Sequence, residues 1–319
     1  MNGDIIMTFK TLIPIGCRSD EGLIMPVIRR LEKDPAFEVM QYDLKPMDFI
    51  ESYRITVDKI NEFHPDLFFA NADRVEMCGA TAAAFHNKVK IAHYQAGVVN
   101  DPITTFDDVD RHVITLWSDI QFVENNEAED MVYILKLAQK GFDTERDHGS
   151  YNPYMKIFNV GCTHLDDLSV DESKVPINGY AGYRDPYDLI LINYPPLSPT
   201  GKTPMEIGKR LTESIIKEFV PNRKKIWIGG NPDGYFKFEC ENSIYYDHLP
   251  RPQFLGLLKN CQRFITNSSC AITEAPYFLK PEQIVMVGDR NRNRPAVECK
   301  PGGSDRIVAI LKDYANAYN

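Results

Sequence analysis

The sequence predicts an α/β protein of two domains, each a parallel sheet with helices on both faces. Three observations carry that expectation. Short apolar runs alternate with helical periodicity along most of the 319 residues, the rhythm of repeated βαβ units. The rhythm stops at 168–186, LSVDESKVPINGYAGYRDP, a polar stretch with prolines and glycines that reads as a hinge, and then restarts. The chain is also too long for one typical core. Domains are therefore expected over 1–168 and 169–319.

In order, TLIPI (11–15) reads as a strand before the helix LIMPVIRRL, FEVMQY (37–42) as a strand before IESYRITVDKINEF, and DLFFA (66–70) as a strand before VEMCGATAAAF. VKIAHY (89–94), DIQFV (119–123) with the helix EDMVYILKLAQ, and MKIFNVG (155–161) complete the first half. In the second half DLILINY (188–194) precedes MEIGKRLTESIIKEF, KKIWIGG (224–230) follows, and FLGLLKN leads into the strand RFIT. QIVMVG (283–288) and a last amphipathic helix, RIVAILKDYANAY, close the chain.

Composition narrows the function classes. No stretch approaches the roughly 20 apolar residues needed to span a bilayer. The start, MNGDIIMTFKTLIPIG, lacks a cationic region and cleavage site and reads as a first strand, so a cytoplasmic protein is expected. A net charge of −9 argues against broad attraction to nucleic acid or anionic membrane. The seven cysteines form no C-x-x-C pair, which favours reduced thiols and gives no zinc signature, so no metal is expected.

Ligands in such sheets bind beyond the carboxyl ends of the strands, so the strand-to-helix turns are where chemistry is sought. In FITNSSCAITEAP (264–276), Ser268, Ser269 and Cys270 follow a buried strand and open a helix; the turn reads as an anion cradle, with Glu274 one turn further in, or as an ordinary capped helix. In IPIGCRSDEG, Arg18 sits at a helix start, to clamp a phosphate or to pair with Asp20 or Glu21. FFANADRVE places Asp73 after a strand as a base or a cap. FDDVDRHVI crowds Asp107, Asp108 and Asp110 with Arg111 and His112, which i,i+4 pairing of Asp107 with Arg111 and Asp108 with His112 would relieve. VGDRNRNRP offers Arg290 and Arg294 on a loop suited to a diphosphate.

With these turns in order, the chain resembles the UDP-N-acetylglucosamine 2-epimerase family, especially its hydrolysing branch, over nearly its whole length. GCRSDEGLIMPVIRRL resembles the family's first turn, with Arg18 at its arginine. HPDLFFANADRVE resembles its G-D-R-x-E segment, with Asp73 at the catalytic aspartate; FDDVDRHVITLWSD resembles D-D-x-x-R-H; TNSSCAITEA resembles the UDP-binding N-S-S-C-x-x-x-E; and GDRNRNRP resembles G-x-R-Q-x-G-R. The resemblance implies a GT-B fold of two Rossmann-like domains facing a central cleft, the sugar and acceptor on the first and the nucleotide on the second. It also implies a diphosphate on Ser268 and Ser269, and Glu274 on the uridine ribose. Two positions depart from the family. HYQAG puts Gln95 where a catalytic glutamate stands, and ILINYPPLSP puts Tyr194 where a catalytic histidine stands. Gln95 cannot exchange a proton, and Tyr194 needs strong activation to do so.

Retained phosphate machinery beside lost proton-transfer groups favours a glycosyltransferase. It would pass a UDP-sugar's sugar to an acceptor: a small molecule, a glycan, a protein or a modified nucleic acid base. Asp73 or Asp107 would be the base, and no cofactor beyond the UDP-sugar donor is expected. The alternatives are a hydrolysing 2-epimerase, in which Tyr194 and Asp73 share the proton work, and a non-catalytic nucleotide-sugar sensor. Such proteins are often dimers, so a homodimer is one option, and the sequence leaves the oligomeric state open.

Overall fold

A computed structural model describes residues 8–16, 20–45, 47–99, 106–140, 156–168, 170, 186–192, 210, 224–229, 243–288 and 300–318. Two compact units divide the chain: Met1–Val99, Asp107–Asp166 and Cys299–Asn319 form one, and Asn100–Phe106 with Asp167–Glu298 the other.

The first unit runs β1 (Phe9–Ile15), α1 (Asp20–Leu23), α2 (Met25–Leu31), β2 (Phe37–Asp43), α3 (Phe49–Phe63), β3 (Leu67–Asn71), α4 (Val75–His86), β4 (Lys90–Tyr94), α5 (Phe106–Trp117), β5 (Ile120–Val123), α6 (Asn126–Lys140) and β6 (Lys156–Asn159). Its six strands are parallel in the order β2-β1-β3-β4-β5-β6. The second unit contributes β7 (Tyr187–Leu191), β8 (Lys224–Ile228), β9 (Ser243–Tyr246), α7 (Arg251–Asn260), β10 (Arg263–Thr266), α8 (Cys270–Thr273) and β11 (Ile284–Met286), in a parallel sheet of order β11-β10-β7-β8-β9. The last helix, α9 (Gly303–Tyr318), packs against α2 and so belongs to the first unit.

Strand alternation builds two cores around the first sheet. Phe9, Ile13 and Phe69 face α2 and α9 through Val27, Ile28, Ile307 and Leu311. Leu12, Phe68 and Ala70 face α3 and α4 through Ile60, Phe63, Met77 and Ala80. Helix α3 is fixed at its start by a capping box: Asp48 Oδ1 accepts from the Glu51 amide at 2.8 Å, and Glu51 accepts from the Asp48 amide at 3.3 Å.

Two local differences from the sequence reading have plain causes. The single helix expected over 23–31 breaks at Ile24, because Pro26 sits in the first turn of α2, where a proline is accommodated and an incoming helix is not. The helix expected after the paired serines lasts four residues, then passes into a 3-10 turn over Ala275–Tyr277 that holds Pro276.

In each sheet the strand order reverses once, between β1 and β3 and between β7 and β10. Those two carboxyl ends are where this architecture leaves a crevice. At the first, Asp20 accepts from the Gly16 amide at 2.7 Å and from the Asn71 side chain at 2.8 Å, tying β1, α1 and β3 together.

His93, fully buried in β4, shapes the same end of the sheet. Its Nε2 donates to the Ala72 carbonyl at 2.8 Å, so Nδ1 accepts from the Thr115 hydroxyl at 3.2 Å. This bond braces Ala72, whose φ of +63° is left-handed. Burial lowers the His93 pKa to about 4. Between that value and the unfolded 6.5 the unfolded chain binds the extra proton, so stability should fall as pH drops through this window, by on the order of 3 kcal/mol at its acid end. Urea unfolding of wild type and His93→Gln at pH 7 and pH 5 checks this: the wild type should lose more stability over the interval. A second prediction concerns Gly79, where an added Cβ would lie 2.3 Å from the Phe49 carbonyl oxygen and 2.3 Å from Ser52 Oγ. Gly79→Ala should gain ~1 kcal/mol of helix propensity yet lose more by forcing α3 from α4, for a net destabilisation of about 1–2 kcal/mol in urea unfolding.

Candidate functional site

In the first unit, the residues that follow β3, β4 and β5 converge with one arginine from α5. Asp73 stands just beyond β3, held by the Ala72 bend, with 21% of its side chain exposed. Arg111, one turn into α5, is 5% exposed; one guanidinium nitrogen pairs with Asp73 Oδ2 and the other donates to the Gln95 carbonyl at 3.0 Å. A buried guanidinium needs such partners to offset the water it has lost. Where the sequence suggested an i,i+4 partner for Arg111, the pair seen here runs across the sheet to a carboxylate 38 residues away.

Gln95 carries the turn that makes this possible. Its φ is +63°, and Gly97, at +72°, leaves no room for a side chain: a Cβ there would meet the Ala128 carbonyl at 2.1 Å. The Gln95 side chain is 6% exposed and donates through Nε2 to Glu124 Oε1 at 3.0 Å. The same oxygen accepts from the Tyr94 hydroxyl at 2.8 Å, and that hydroxyl in turn accepts from the Thr163 amide at 2.9 Å. An amide at position 95 is therefore matched to Glu124, because a glutamate there would set two carboxylates side by side. Burial and the Glu124 charge hold the Tyr94 phenol far above its ordinary pKa, so it stays a donor. Beside Glu124 stand Cys162 and His164, and the ligand atoms of all three lie within 4.8 Å of one another.

Around α5 the acidic cluster is partly quenched. Burial, then the neighbouring Asp107, raises the Asp110 pKa to about 6. Asp107 lies in the first turn of α5 and is half-buried. On α4, Arg74 donates to Glu76 at 2.6 Å, beside Gly16.

In the second unit, the turn after β10 brings Ser268, Ser269, Cys270 and Glu274 together. The Ser268 amide donates to Thr266 Oγ1 at 2.9 Å, and the Cys270 amide donates to Ser268 Oγ at 3.4 Å. Cys270 turns into the core, where burial and then Glu274 push its thiol up to about 12. It stays neutral and offers no thiolate. Glu274 is buried and paired with Arg251 at the start of α7. Sequence reasoning missed Arg251, Tyr94 and Glu124; the one signal for Glu124 was a charge placed directly after the buried IQFV strand. Arg18, Tyr194, Arg290 and Arg294 lie outside the described residues. Among the described residues no helix is long and apolar enough to cross a membrane.

Comparison with known proteins places this arrangement. A curated relative, the GDP/UDP-N,N'-diacetylbacillosamine 2-epimerase (hydrolyzing) of Campylobacter jejuni, is 24% identical over 74% of this chain and 60% of its own length. The UDP-N-acetylglucosamine 2-epimerase of Neisseria meningitidis is 24% identical over 73% of this chain and 58% of its own, so the match spans less than two thirds of both proteins. The Legionella pneumophila UDP-N,N'-diacetylbacillosamine 2-epimerase (hydrolyzing) is 25% identical over 97% of this chain and 86% of its own. Among solved structures, the S. aureus MnaA–UDP co-structure superposes with a TM-score of 0.70 at 17% identity, over 97% of each chain. The N. meningitidis UDP-GlcNAc 2-epimerase bound to UDP-GlcNAc gives 0.68 at 16% identity, over 96% of this chain and all of that one. These likenesses show the expected fold, α/β with two parallel sheets of the GT-B type. The family described as UDP-N-acetylglucosamine 2-epimerase matches residues 55–316, and the chain belongs to that family.

Proposed function

We propose that this chain releases UDP from a UDP-linked 2-acetamido sugar and inverts C2, as a hydrolysing 2-epimerase, with Asp73 as the proton-transferring group. This takes up the alternative reading of the sequence, in which Tyr194, outside the described residues, shares the proton work with Asp73, in preference to the glycosyltransferase. The relatives' names support it, and the observation that carries it is the Asp73–Arg111 pair. The arginine is buried and the carboxylate is partly open, which leaves Asp73 aimed by a fixed partner and reachable. Inverting C2 requires a carbon-bound proton to leave and return, and a carboxylate at a strand's carboxyl end is suited to take it. The substrate class follows the relatives, UDP-N-acetylglucosamine or the UDP-linked diacetamido sugar. On the second unit, Ser268 and Ser269 at the reversal of strand order are read as the diphosphate side, with Glu274, steadied by Arg251, toward the ribose.

A transferase reading keeps one supporting observation. The Gln95 side chain is committed to Glu124, so position 95 contributes no exposed carboxylate to proton transfer. Transfer to an acceptor hydroxyl needs at most one base, and Asp73 or Asp107 would serve.

Turnover of UDP-N-acetylglucosamine and of its diacetamido analogue in deuterium oxide separates the two. The epimerase reading expects UDP release without any acceptor and deuterium at C2 of the freed sugar. UDP release that needs an acceptor, with C2 still carrying its original hydrogen, overturns it in favour of transfer. Asp73→Asn should lower kcat by roughly 10²- to 10⁴-fold in protein that circular dichroism shows folded, with a lower melting temperature as well, since the asparagine oxygen still accepts from Arg111 but the buried guanidinium loses its counter-charge. A variant that keeps wild-type kcat removes Asp73 from the chemistry.

A further inference from the structure

We propose that Glu124, Cys162 and His164 form a binding site for a zinc-class divalent cation, at the carboxyl ends of β5 and β6 in the first unit. Cys162 and His164 follow β6 as a single Cys-x-His, and Glu124 follows the adjacent strand β5, so the third ligand is brought to the pair only by strand pairing. Cys162 Sγ lies 2.8 Å from His164 Nδ1, and that nitrogen lies 3.9 Å from Glu124 Oε1. Tetrahedral zinc, with bonds near 2.0–2.3 Å, sets its ligand atoms about 3.3–3.6 Å apart; sulfur and nitrogen stand closer than that and the near carboxylate oxygen, Oε1, farther, so an ion held through Oε2 requires the carboxylate to turn toward the pair. One sulfur, one imidazole and one carboxylate are a donor set that suits zinc and not calcium or magnesium.

Two features separate this cluster from a merely packed one. Glu124 is fully buried, its Oε1 already accepts from Tyr94 and Gln95, and its Oε2 has no hydrogen-bond partner among the described residues. A buried carboxylate oxygen without a donor is costly unless a cation answers it. The bonds to Oε1 orient the carboxylate as outer-sphere partners of a metal ligand do, leaving Oε2 for the ion. The cluster is also wired wrongly for a nucleophilic triad. There the base links nucleophile and acid through opposite ring nitrogens, whereas Cys162 and Glu124 both approach Nδ1. On binding, the Cys162 thiol gives its proton to solvent, and thiolate and carboxylate together balance the divalent charge.

The test is titration of the chelator-treated full chain with Co²⁺ as a spectroscopic stand-in for zinc. A thiolate-to-cobalt charge-transfer band saturating at one ion per chain is expected. Cys162→Ser should abolish the band, and His164→Gln should weaken Co²⁺ binding at least about tenfold. Absence of the band in the wild-type chain overturns the site whatever the variants do. A band of full strength in Cys162→Ser assigns the ion to another cysteine and overturns it as well. Should circular dichroism show Cys162→Ser unfolded, His164→Gln decides once the same measurement shows it folded: wild-type affinity there rejects the proposal.

Discussion

A guanidinium that has surrendered nearly all of its water must find acceptors within the protein, and the first unit is arranged around that demand at Arg111. One answer is the Asp73 carboxylate, the other the Gln95 carbonyl. Neither is available from regular structure. Asp73 is reached only because Ala72 bends into the left-handed region, braced by the neutral His93 beneath it. The Gln95 carbonyl is reached only because residues 95–97 turn back against α6. A single buried charge thus dictates two backbone bends, one tautomer and one glycine. Because breaking a buried pair costs far more than forming it returns, the arrangement favours one geometry more than it adds stability.

Around this centre the side chains are mutually conditioned. Read alone, glutamine at position 95 is the loss of a carboxylate. Beside Glu124 it is a donor that a carboxylate would need, and the pair keeps one negative charge where two would repel. Tyr94 and Thr163 extend the same chain of donors to the end of β6.

Much of the architecture could be read from the chain. The βαβ rhythm located β1, β3, β4 and β5, and the amphipathic run ending at Phe63 located α3, because period-2 and period-3.6 burial leave unmistakable traces when both faces of a sheet are covered. The turns after β3 and β10 were legible for a topological reason: strand order reverses beside them. Other features were not legible. β9, SIYY, has all four residues half-buried at a sheet edge and offers a run of only three apolar or aromatic residues. The amphipathic pattern of α9 says that a face is covered but not which sheet covers it. Arg251 and Glu124 matter through partners 23 and 29 residues away, a separation that no local pattern encodes.

The placement of α9 bears on how the chain is made. Phe9 and Ile13 lie near the start of the chain, yet Ile307 and Leu311, which cover them, are translated only after the whole second unit. During synthesis the first sheet therefore waits with one apolar face incompletely shielded while about 130 later residues emerge. Until α9 has been made, that face of the nascent first unit stays a sticky surface.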